Sequence, residues 1–356
     1  MSLSVQRQGD EVKSNNRQSS KRLTMALVAI TVILALGAGC STNSDSSRRN
    51  YSGNLESITV AHAQFEPTAL FCIAIDQQYF RQNGLNVISH KHHTGAGALD
   101  EVLNGKADVS VGAAEFPLVN KAFKKETIST IGSIGKTEFI YLIGRKDLGI
   151  EKVSDLKGKR IGTTAGTIAE FYLGRFLDLN SMDMQDIVFV NIKAPTEYGN
   201  AIANGDVDAI VSAQPNANSV KERLGANAVF WPVQSNQHLY SLIISTNEWI
   251  TKHPEQTSRF LTALAQAEEY ATRNPAKAKA IVQKQLNLDT EYMETVWSQN
   301  KFSLSLDQSL VLAMEDEARW MMNNKVTTET AMPDFNDYIY EDGLKAVNPD
   351  AVNIIR

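Results

Sequence analysis

The feature that most constrains the fold of this sequence is a recurring unit of a short apolar strand, a loop of small residues and a helix. The clearest copy spans residues 155–171, where a turn at Gly158 precedes a predicted strand, Arg160–Thr163. A predicted helix begins at Ile168. Alternation of strands and helices indicates parallel sheets with helices on both faces, which is the α/β class. The loop between this strand and this helix consists of Thr164, Ala165, Gly166 and Thr167.

This loop is a candidate binding site for a polar group. Backbone N–H groups at the start of a helix lack partners within the helix, and the helix dipole is positive there. The loop is therefore predicted to bind an anionic or strongly polar part of a ligand. Thr167, followed three residues later by Glu170, also matches a capping box. An ordinary capped turn has the same pattern, so this stretch alone leaves both interpretations open.

Further copies of the unit place loops after other predicted strands, 57–62, 85–88, 107–111 and 207–211. In open α/β sheets, ligands bind beyond the carboxyl ends of the strands, so these loops are expected to converge on one crevice. Besides Thr164 to Thr167, the candidate ligand-binding residues are His62, Gln64, Phe65, Glu66, His93, Thr94, Gly95, Ala114, Glu115, Tyr198, Ala213 and Gln214.

The first 39 residues have the pattern of a secretory signal, because a basic, polar lead precedes the apolar run Leu23–Gly39. That run is at the short end for a membrane-spanning helix, so a signal peptide is the preferred interpretation and a single-pass anchor is the alternative. The end of the run, Leu36–Cys40, resembles the lipobox of bacterial lipoproteins. We therefore expect lipid on Cys40 and a disordered tether over residues 40–56.

Composition limits the class of the protein. The chain has 35 Lys and Arg against 40 Asp and Glu, so it lacks the basic balance typical of nucleic-acid binding. Cys72 is the only cysteine besides Cys40, so no disulfide within the mature chain is expected. A mature chain from Cys40 to the end is too long for one ordinary core and suits two lobes.

Motifs for catalysis are absent from the sequence, which has no Gly-x-Ser-x-Gly elbow, no His-Glu-x-x-His pair and no phosphate-binding loop. His90 and His92, on the same side of a strand, and the adjacent His93 suggest a metal site. Because no Cys or carboxylate stands beside them in the sequence, we predict neither a metal nor a cofactor. His62 and His93 are expected instead to be neutral hydrogen-bonding residues of the pocket.

Short motifs in a fixed order carry a family resemblance. Residues 74–87 resemble a passage of the form A-x-x-x-G-Y-F … G-L-x-V, with Gln78 where Gly is usual. The segments 104–108, 154–162 and 204–209 resemble a G-x-A-D turn, a D-L-K-G-K-x-I entrance and a G-x-V-D-A turn. This ordered set resembles the solute-binding proteins of ABC uptake transporters, in the branch that binds nitrate, sulfonates, taurine and thiamine precursors.

The resemblance implies two Rossmann-like lobes with a hinge and an interlobe cleft, the type II periplasmic-binding-protein fold. Lobe 1 would comprise residues 57–141 and 242–356, and lobe 2 residues 142–241. The expected partners are a small-molecule solute, ABC permease subunits and the membrane, through lipid on Cys40. We expect a monomer in the cell envelope that faces the periplasm or exterior.

Two acids at predicted loop tips leave the charge of the solute open. If Glu66 and Glu115 point away as helix caps, the cleft suits an anion such as a sulfonate or nitrate. If they face the ligand, they pair with a cationic or N–H-bearing group, which suits an aminosulfonate such as taurine or a pyrimidine-like molecule. Alternative functions are a binding protein that serves a sensor and an enzyme of the thiamine-pyrimidine type. Of these functions we expect solute binding, and we do not expect the protein to be an enzyme.

Overall fold

The computed structural model describes residues 51–356. The predictions of a signal peptide, of lipid on Cys40 and of most of the tether fall on residues outside this range. Within it, no helix combines the length and the apolar character that a membrane crossing requires.

Two separate sheets organise the described residues. The strands are β1 (Glu56–Ala63), β2 (Leu85–His92), β3 (Val109–Ala113), β4 (Ile128–Thr137), β5 (Ile140–Arg145), β6 (Arg160–Thr163), β7 (Val188–Asn191), β8 (Ala209–Ala213), β9 (Ala228–Pro232), β10 (Leu239–Thr246) and β11 (Asn300–Lys301). Within residues 51–356, the first sheet has the order β11-β4-β10-β3-β1-β2, and the second has the order β7-β6-β8-β5-β9. We call the parts of the chain that carry these sheets the first and the second lobe.

The strand directions place the ends of both sheets next to the connections between them. β1, β2 and β3 are parallel neighbours, as are β6, β7 and β8. The chain crosses between the lobes from Thr137 to Ile140 and returns from Pro232 to Leu239. Because Leu239 pairs with Thr137, and Ile140 pairs with Ala213, the carboxyl ends of the parallel strands lie at the sheet edges where the chain crosses. The predicted α/β class with two lobes is confirmed.

Helices connect most of the strands and form much of the C-terminal third. They are α1 (Ala69–Asp76), α2 (Tyr79–Gln82), α3 (Gly95–Leu103), α4 (Glu115–Phe123), α5 (Ile168–Leu179), α6 (Tyr198–Asn204), α7 (Asn216–Leu224), α8 (Asn247–Lys252), α9 (Pro254–Arg273), α10 (Pro275–Leu286), α11 (Thr290–Val296), α12 (Gln308–Asn323) and α13 (Asp342–Val347).

Local sequence patterns predict some of these boundaries well. The predicted strand Arg160–Thr163 and the helix start at Ile168 are both confirmed. The sequence after Pro67 predicts one helix that runs to about Gln82, but in the structure this helix breaks between α1 and α2. Gln78 lies at the break with φ of 58°, in the left-handed region that a continuous right-handed helix excludes.

The sequence from Pro254 to Val326 predicts an almost wholly helical tail, which the structure confirms except around residues 300–307. Between α11 and α12 the chain forms β11, which pairs with β4 through Asn300 and Thr137. Farther along, Ser305 and Ser133 exchange two backbone hydrogen bonds of 2.8 and 2.9 Å. The tail therefore adds a sheet edge beside β4, at the side of the first lobe next to the crossing.

The two lobes touch through α5 of the second lobe, which packs against α4 and α12 of the first. The Phe171 ring lies 6.1 Å from that of Phe116 and meets the Trp320 ring edge-on at 5.7 Å, measured between ring centroids. Gly174 permits this approach, since a Cβ atom there would lie 2.3 Å from Nε1 of Trp320. The contact between the lobes is thus aromatic and closely packed.

A buried side chain joins the two crossing segments. Oε1 of Gln234 accepts hydrogen bonds from the backbone N–H groups of Phe139 and Ile140, at 2.6 and 2.9 Å. Its Nε2 donates to the carbonyl oxygens of Thr137 and Gln237, at 3.0 Å each. One side chain therefore bonds to both connections between the lobes.

Candidate functional site

The predicted loops of the first lobe lie side by side at one edge of its sheet. Ala63, at the end of β1, pairs with His92, at the end of β2. α3 begins so close to β3 that a Cβ atom on Gly95 would lie 2.0 Å from the carbonyl oxygen of Gly112. Gly95 is therefore required for the close approach of this helix to the sheet. The structure brings together Gln64, Phe65, His93, Thr94, Gly95 and Ala114 at this edge.

The start of α3 has the form expected of an open helix N-terminus. Oγ1 of Thr94 accepts a hydrogen bond of 3.1 Å from the backbone N–H of Gly97, as an N-cap does. The side chains of His93 and Thr94 are exposed. These residues remain candidates for contact with a ligand.

The Thr164–Thr167 loop of the second lobe has side-chain partners for its backbone N–H groups. The N–H of Thr164 donates to the hydroxyl oxygen of Tyr198 at 3.1 Å, and that of Ala165 donates to Oδ1 of Asn191 at 3.0 Å. The N–H of Gly166 donates to Oε2 of Glu170 at 2.6 Å. Because protein groups accept from all three, an anion that binds these N–H groups has to displace those groups.

The predicted capping box at α5 is wrong. Oγ1 of Thr167 donates to the carbonyl oxygen of Thr164 at 2.7 Å, and no side chain caps the helix at Thr167. Glu170 bonds to Gly166 instead of returning to the N–H of Thr167. Burial raises the pKa of Glu170, and the hydrogen bond from Gly166 opposes part of that rise.

Glu66 is buried and has a partner in the protein. Its Oε1 accepts a hydrogen bond of 2.7 Å from the hydroxyl of Tyr292, on α11. Burial raises the pKa of the Glu66 carboxyl, and the bond from Tyr292 lowers it in part. Glu66 thus joins the β1–α1 loop to a helix of the C-terminal third.

Glu115 forms a buried pair with Glu317 of α12. Oε2 of Glu115 accepts a hydrogen bond of 2.9 Å from the backbone N–H of Tyr240. Its Oε1 and both carboxyl oxygens of Glu317 have no partner within residues 51–356 besides the two acids themselves. Burial raises the pKa of Glu115 to about 7, and burial with the charge of Glu115 raises that of Glu317 further. The pair therefore holds at least one proton at neutral pH.

Other predicted residues have structural contacts at the strand ends. His62 is buried, with Nε2 2.8 Å from Oγ of Ser89 and its ring centroid 4.8 Å from that of Phe71. Burial lowers the pKa of His62 to about 4, so the ring is neutral, as predicted. Tyr198 is buried beside the Thr164 loop. Ala213 ends β8, and Oε1 of the adjacent buried Gln214 accepts from the N–H of Asn218, at 3.1 Å.

A carboxylate that is distant in the sequence stands beside two of the histidines in the structure. Glu101 of α3 reaches back to β2, where Oε1 lies 2.6 Å from Nδ1 of His90 and Oε2 contacts Nε2 of His92. His90 and His92 therefore share one side of the strand, as predicted. No group of three or more potential metal ligands occurs in the described part of the chain.

A cavity that the sequence did not indicate opens between the lobes beside the crossing segments. Its volume is about 550 Å³, and none of the predicted ligand residues lines it. We call it the hinge-side groove. It is lined by Lys136 of β4, Arg175 of α5, Gln237 of the return crossing, Lys301 of β11, and Leu312 and Arg319 of α12.

The sequence could have pointed to only part of this groove. Lys136 and Gln237 flank the predicted crossing segments, so a search for polar residues near the hinge would have found them. Lys301 lies in the stretch whose sequence predicts a helix, and its position beside β4 depends on a strand of only two residues. Leu312 and Arg319 belong to α12. The position of this helix along α5 depends on tertiary packing, which the local sequence does not predict.

Comparison with known proteins agrees with this architecture. A family model described as "NMT1/THI5 like" matches residues 67–278. A provisionally named binding protein of Brucella abortus is 26% identical over 262 residues, which cover 71% of this chain and 78% of that protein. A 4-amino-5-hydroxymethyl-2-methylpyrimidine phosphate synthase of Aspergillus parasiticus is 23% identical over 227 residues, covering 58% of this chain and 63% of the enzyme.

Among solved structures, the periplasmic aliphatic sulphonate binding protein SsuA from Escherichia coli has the same fold. The TM-score is 0.69, and the superposition covers 80% of this chain and 92% of SsuA. The sequence identity is 14%, so the likeness concerns the fold alone. The predicted periplasmic-binding-protein fold is confirmed.

Proposed function

Because the chain belongs to the NMT1/THI5-like family, we propose that it binds a small polar solute between its lobes and delivers it to an ABC permease. The solute is anionic or zwitterionic, of the sulfonate, taurine or nitrate type. The protein acts as a monomeric extracytoplasmic lipoprotein, tethered through lipid on Cys40. It needs no cofactor and performs no catalysis.

One observation carries this proposal. The parallel strands of both sheets end at the edges where the chain crosses between lobes, so two sets of strand-end loops border the space between them. Sites beyond the carboxyl ends of strands are the usual ligand sites of open α/β sheets. A hinge between two such sets allows a solute to stabilise the closed arrangement by touching both lobes.

The known proteins support the solute class and the location. SsuA of Escherichia coli is named as a periplasmic protein that binds aliphatic sulphonates, and the Brucella abortus relative is named as a binding protein. An extracytoplasmic place for this chain also fits the apolar run that precedes Cys40. We therefore propose that the solute of this chain is a small sulfonate or a similar anion.

Thermal melting of the full chain in a non-ionic detergent tests solute binding. The panel comprises nitrate, bicarbonate, alkanesulfonates, taurine, small carboxylates, the thiamine pyrimidine and divalent metal ions. A ligand at about 100 times its Kd adds about 2.7 kcal/mol, which raises Tm by several degrees. A rise with one anion class supports the proposal. If no compound raises Tm and mass spectrometry finds no carried-over ligand, the solute-binding role is wrong.

An enzyme is the second candidate, favoured by the similarity to the Aspergillus parasiticus synthase. That reading predicts a new compound when the chain is incubated with candidate precursors. The binding role predicts that every panel compound is recovered unchanged, which mass spectrometry of the solution decides.

A further inference from the structure

The Glu115–Glu317 pair lies beside the contact between the lobes. Glu115 is the first residue of α4 and precedes Phe116, and Glu317 lies one helical turn before Trp320 on α12. Residues three apart on a helix share a face, so each acid is next to a ring that contacts Phe171 of α5. Both acids are fully buried. The pair therefore lies at the base of the interlobe contact, on the side of the first lobe.

A residue of the second lobe lies next to the pair. Burial and the charges of Glu115 and Glu317 raise the pKa of Tyr172, on α5, well above its usual range. The Tyr172 hydroxyl donates to the carbonyl oxygen of Gln237 at 3.2 Å, so its proton is not given to either acid. Movement of α5 away from α4 and α12 therefore uncovers the carboxyl groups.

The packed arrangement leaves several polar atoms at this contact without partners. Oε1 of Glu115, both carboxyl oxygens of Glu317 and Nε1 of Trp320 have no hydrogen-bond partner within residues 51–356, apart from the bond that a shared proton forms between the acids. Buried polar atoms without hydrogen bonds are costly, and water satisfies them when the lobes part. The contact thus combines favourable aromatic packing with a polar cost that parting of the lobes removes.

No cation among the described residues forms an ion pair with either acid. Arg175 of α5 donates to the carbonyl oxygen of Gln234 at 2.8 Å and lies 3.5 Å from a carboxylate oxygen of Asp316. The nearby lysines of α4 and β4, Lys121 and Lys136, pair with other acids, Asp100 and Asp307. A second negative charge on the pair therefore has no counter-charge within the protein.

The remaining titratable groups around the pair do not supply a proton to it. Tyr240 of β10 gives its backbone N–H to Glu115, but its hydroxyl donates to Oγ of Ser309 at 2.8 Å. Tyr338, from the segment packed on α12, donates to the carbonyl oxygen of Ala122 at 3.1 Å. The titratable and charged side chains that face the pair are those of Tyr172, Arg175, Tyr240 and Asp316.

The number of protons on the pair therefore decides the charge within the contact. With one proton, the pair carries a single negative charge, and the proton bridges the two carboxyl groups. Without it, two negative charges lie side by side in an apolar site and repel each other. Water relieves that repulsion only when α5 moves away from the first lobe.

We propose that the Glu115–Glu317 pair is a proton-dependent switch of the contact between the lobes. With its proton, the pair allows α5 to pack on α4 and α12, and without it the arrangement with the lobes apart is favoured. A rise in pH thereby increases the share of molecules whose lobes are apart. The inference goes beyond the proposed function, because the switch acts on the lobes in the absence of a solute.

Pulsed electron spin resonance between two nitroxide labels measures the separation of the lobes. The labels are placed at the exposed positions Glu222→Cys, on α7 of the second lobe, and Lys277→Cys, on α10 of the first. The full chain is used in non-ionic detergent without solute, with Cys40→Ser to remove the other thiol, while Cys72 is buried. Between pH 5.5 and pH 8.5, the ratio of parted to packed molecules is expected to rise at least about ten-fold.

Glu317→Gln tests whether the pair is responsible, because an amide cannot lose the proton and can donate to Glu115. Its distance distribution at pH 8.5 is expected to match that at pH 5.5. Glu115→Gln is the second variant, since its amide oxygen can still accept from the N–H of Tyr240. The matched control is Glu329→Gln, which removes an exposed acid and should shift with pH as the wild type does. Circular dichroism at both pH values shows that each variant is folded.

Two results overturn the inference. Distances in the wild type that do not change with pH show that the pair does not control the contact. Equal changes in the wild type and in whichever of Glu317→Gln and Glu115→Gln is folded assign the motion to another group. Solute binding is decided separately by the melting panel, so failure of the switch leaves the proposed function standing, and failure of solute binding leaves the switch.

Discussion

At the scale of single residues, Gln78 has a backbone conformation that glycine adopts more readily than glutamine. Its φ of 58° lies in the left-handed region, where a side chain is unfavourable and glycine is not. We predict that Gln78→Gly raises the free energy of unfolding by up to about 1 kcal/mol, measured by urea denaturation. The left-handed conformation costs a side chain about 1–2 kcal/mol, and the greater freedom of glycine in the unfolded chain offsets about 0.5–1 kcal/mol of that gain. Gln77→Gly is the matched control, because Gln77 has a φ of −82° and gains nothing from glycine. Equal effects of both changes would contradict this explanation.

Gly174 is the residue that sets the distance between the lobes. A Cβ atom there would lie 2.3 Å from Nε1 of Trp320, within a packed aromatic contact. We predict that Gly174→Ala lowers the free energy of unfolding by about 1–3 kcal/mol, because the rings have to move apart. Tryptophan fluorescence would report the displacement. Gly199→Ala, where the nearest atom belongs to the flexible Arg223 side chain, should leave stability unchanged or increase it.

At the scale of elements, the Thr164–Thr167 loop is held by Tyr198 of α6. We predict that Tyr198→Phe leaves the N–H of Thr164 without its acceptor and costs about 1 kcal/mol. Hydrogen exchange at Thr164 and Ala165 should become faster, whereas exchange in α3 should not change. An unaltered exchange rate in the loop would show that Tyr198 does not hold it.

The same loop shows what sequence reasoning reaches. The bounds of β6 and the start of α5 follow from a local pattern of apolar, small and helical residues, and the structure agrees with them. The partners of the loop N–H groups do not follow, because Tyr198 and Asn191 lie 34 and 26 residues away along the chain. Thr167 does not cap the helix, because its hydroxyl is directed to the carbonyl oxygen of Thr164 and accepts no hydrogen bond from the first turn of α5.

The candidate site was predictable only in its strand-end part. Those loops follow from the order of strands, since carboxyl ends of parallel strands share an edge. The hinge-side groove depends on how α12 and β11 return to the crossing, which no local pattern specifies. Glu101 illustrates the same limit, since helix α3 returns it to His90 and His92 of the preceding strand.

At the scale of the whole molecule, the Glu115–Glu317 pair makes stability depend on pH. Free glutamate titrates near 4.5, whereas Glu115 in the folded protein titrates near 7 and Glu317 above its ordinary value. Between these values the folded state binds more protons than the unfolded state, so stability falls as pH rises. We predict that Tm declines from pH 5 to pH 8 less steeply in Glu317→Gln than in the wild type.

Calorimetric melting at intervals of pH measures this difference. The control is Glu329→Gln, which removes an exposed acid from the segment after α12 and should preserve the wild-type slope. His62, with a lowered pKa, acts in the opposite direction, and it affects all three proteins alike. A Glu317→Gln profile parallel to that of the wild type would show that the pair does not store a proton.

The Gln234 amide has a consequence for how the two halves of the protein can move. Two independent connections would let one lobe bend, twist and slide relative to the other. Because one side chain bonds to both connections, the two segments move together. The motion of lowest energy is then a rotation of the lobes about one hinge axis. Small-angle scattering curves measured across ligand concentrations should then be fitted by conformations that differ only in the angle between the lobes about this axis.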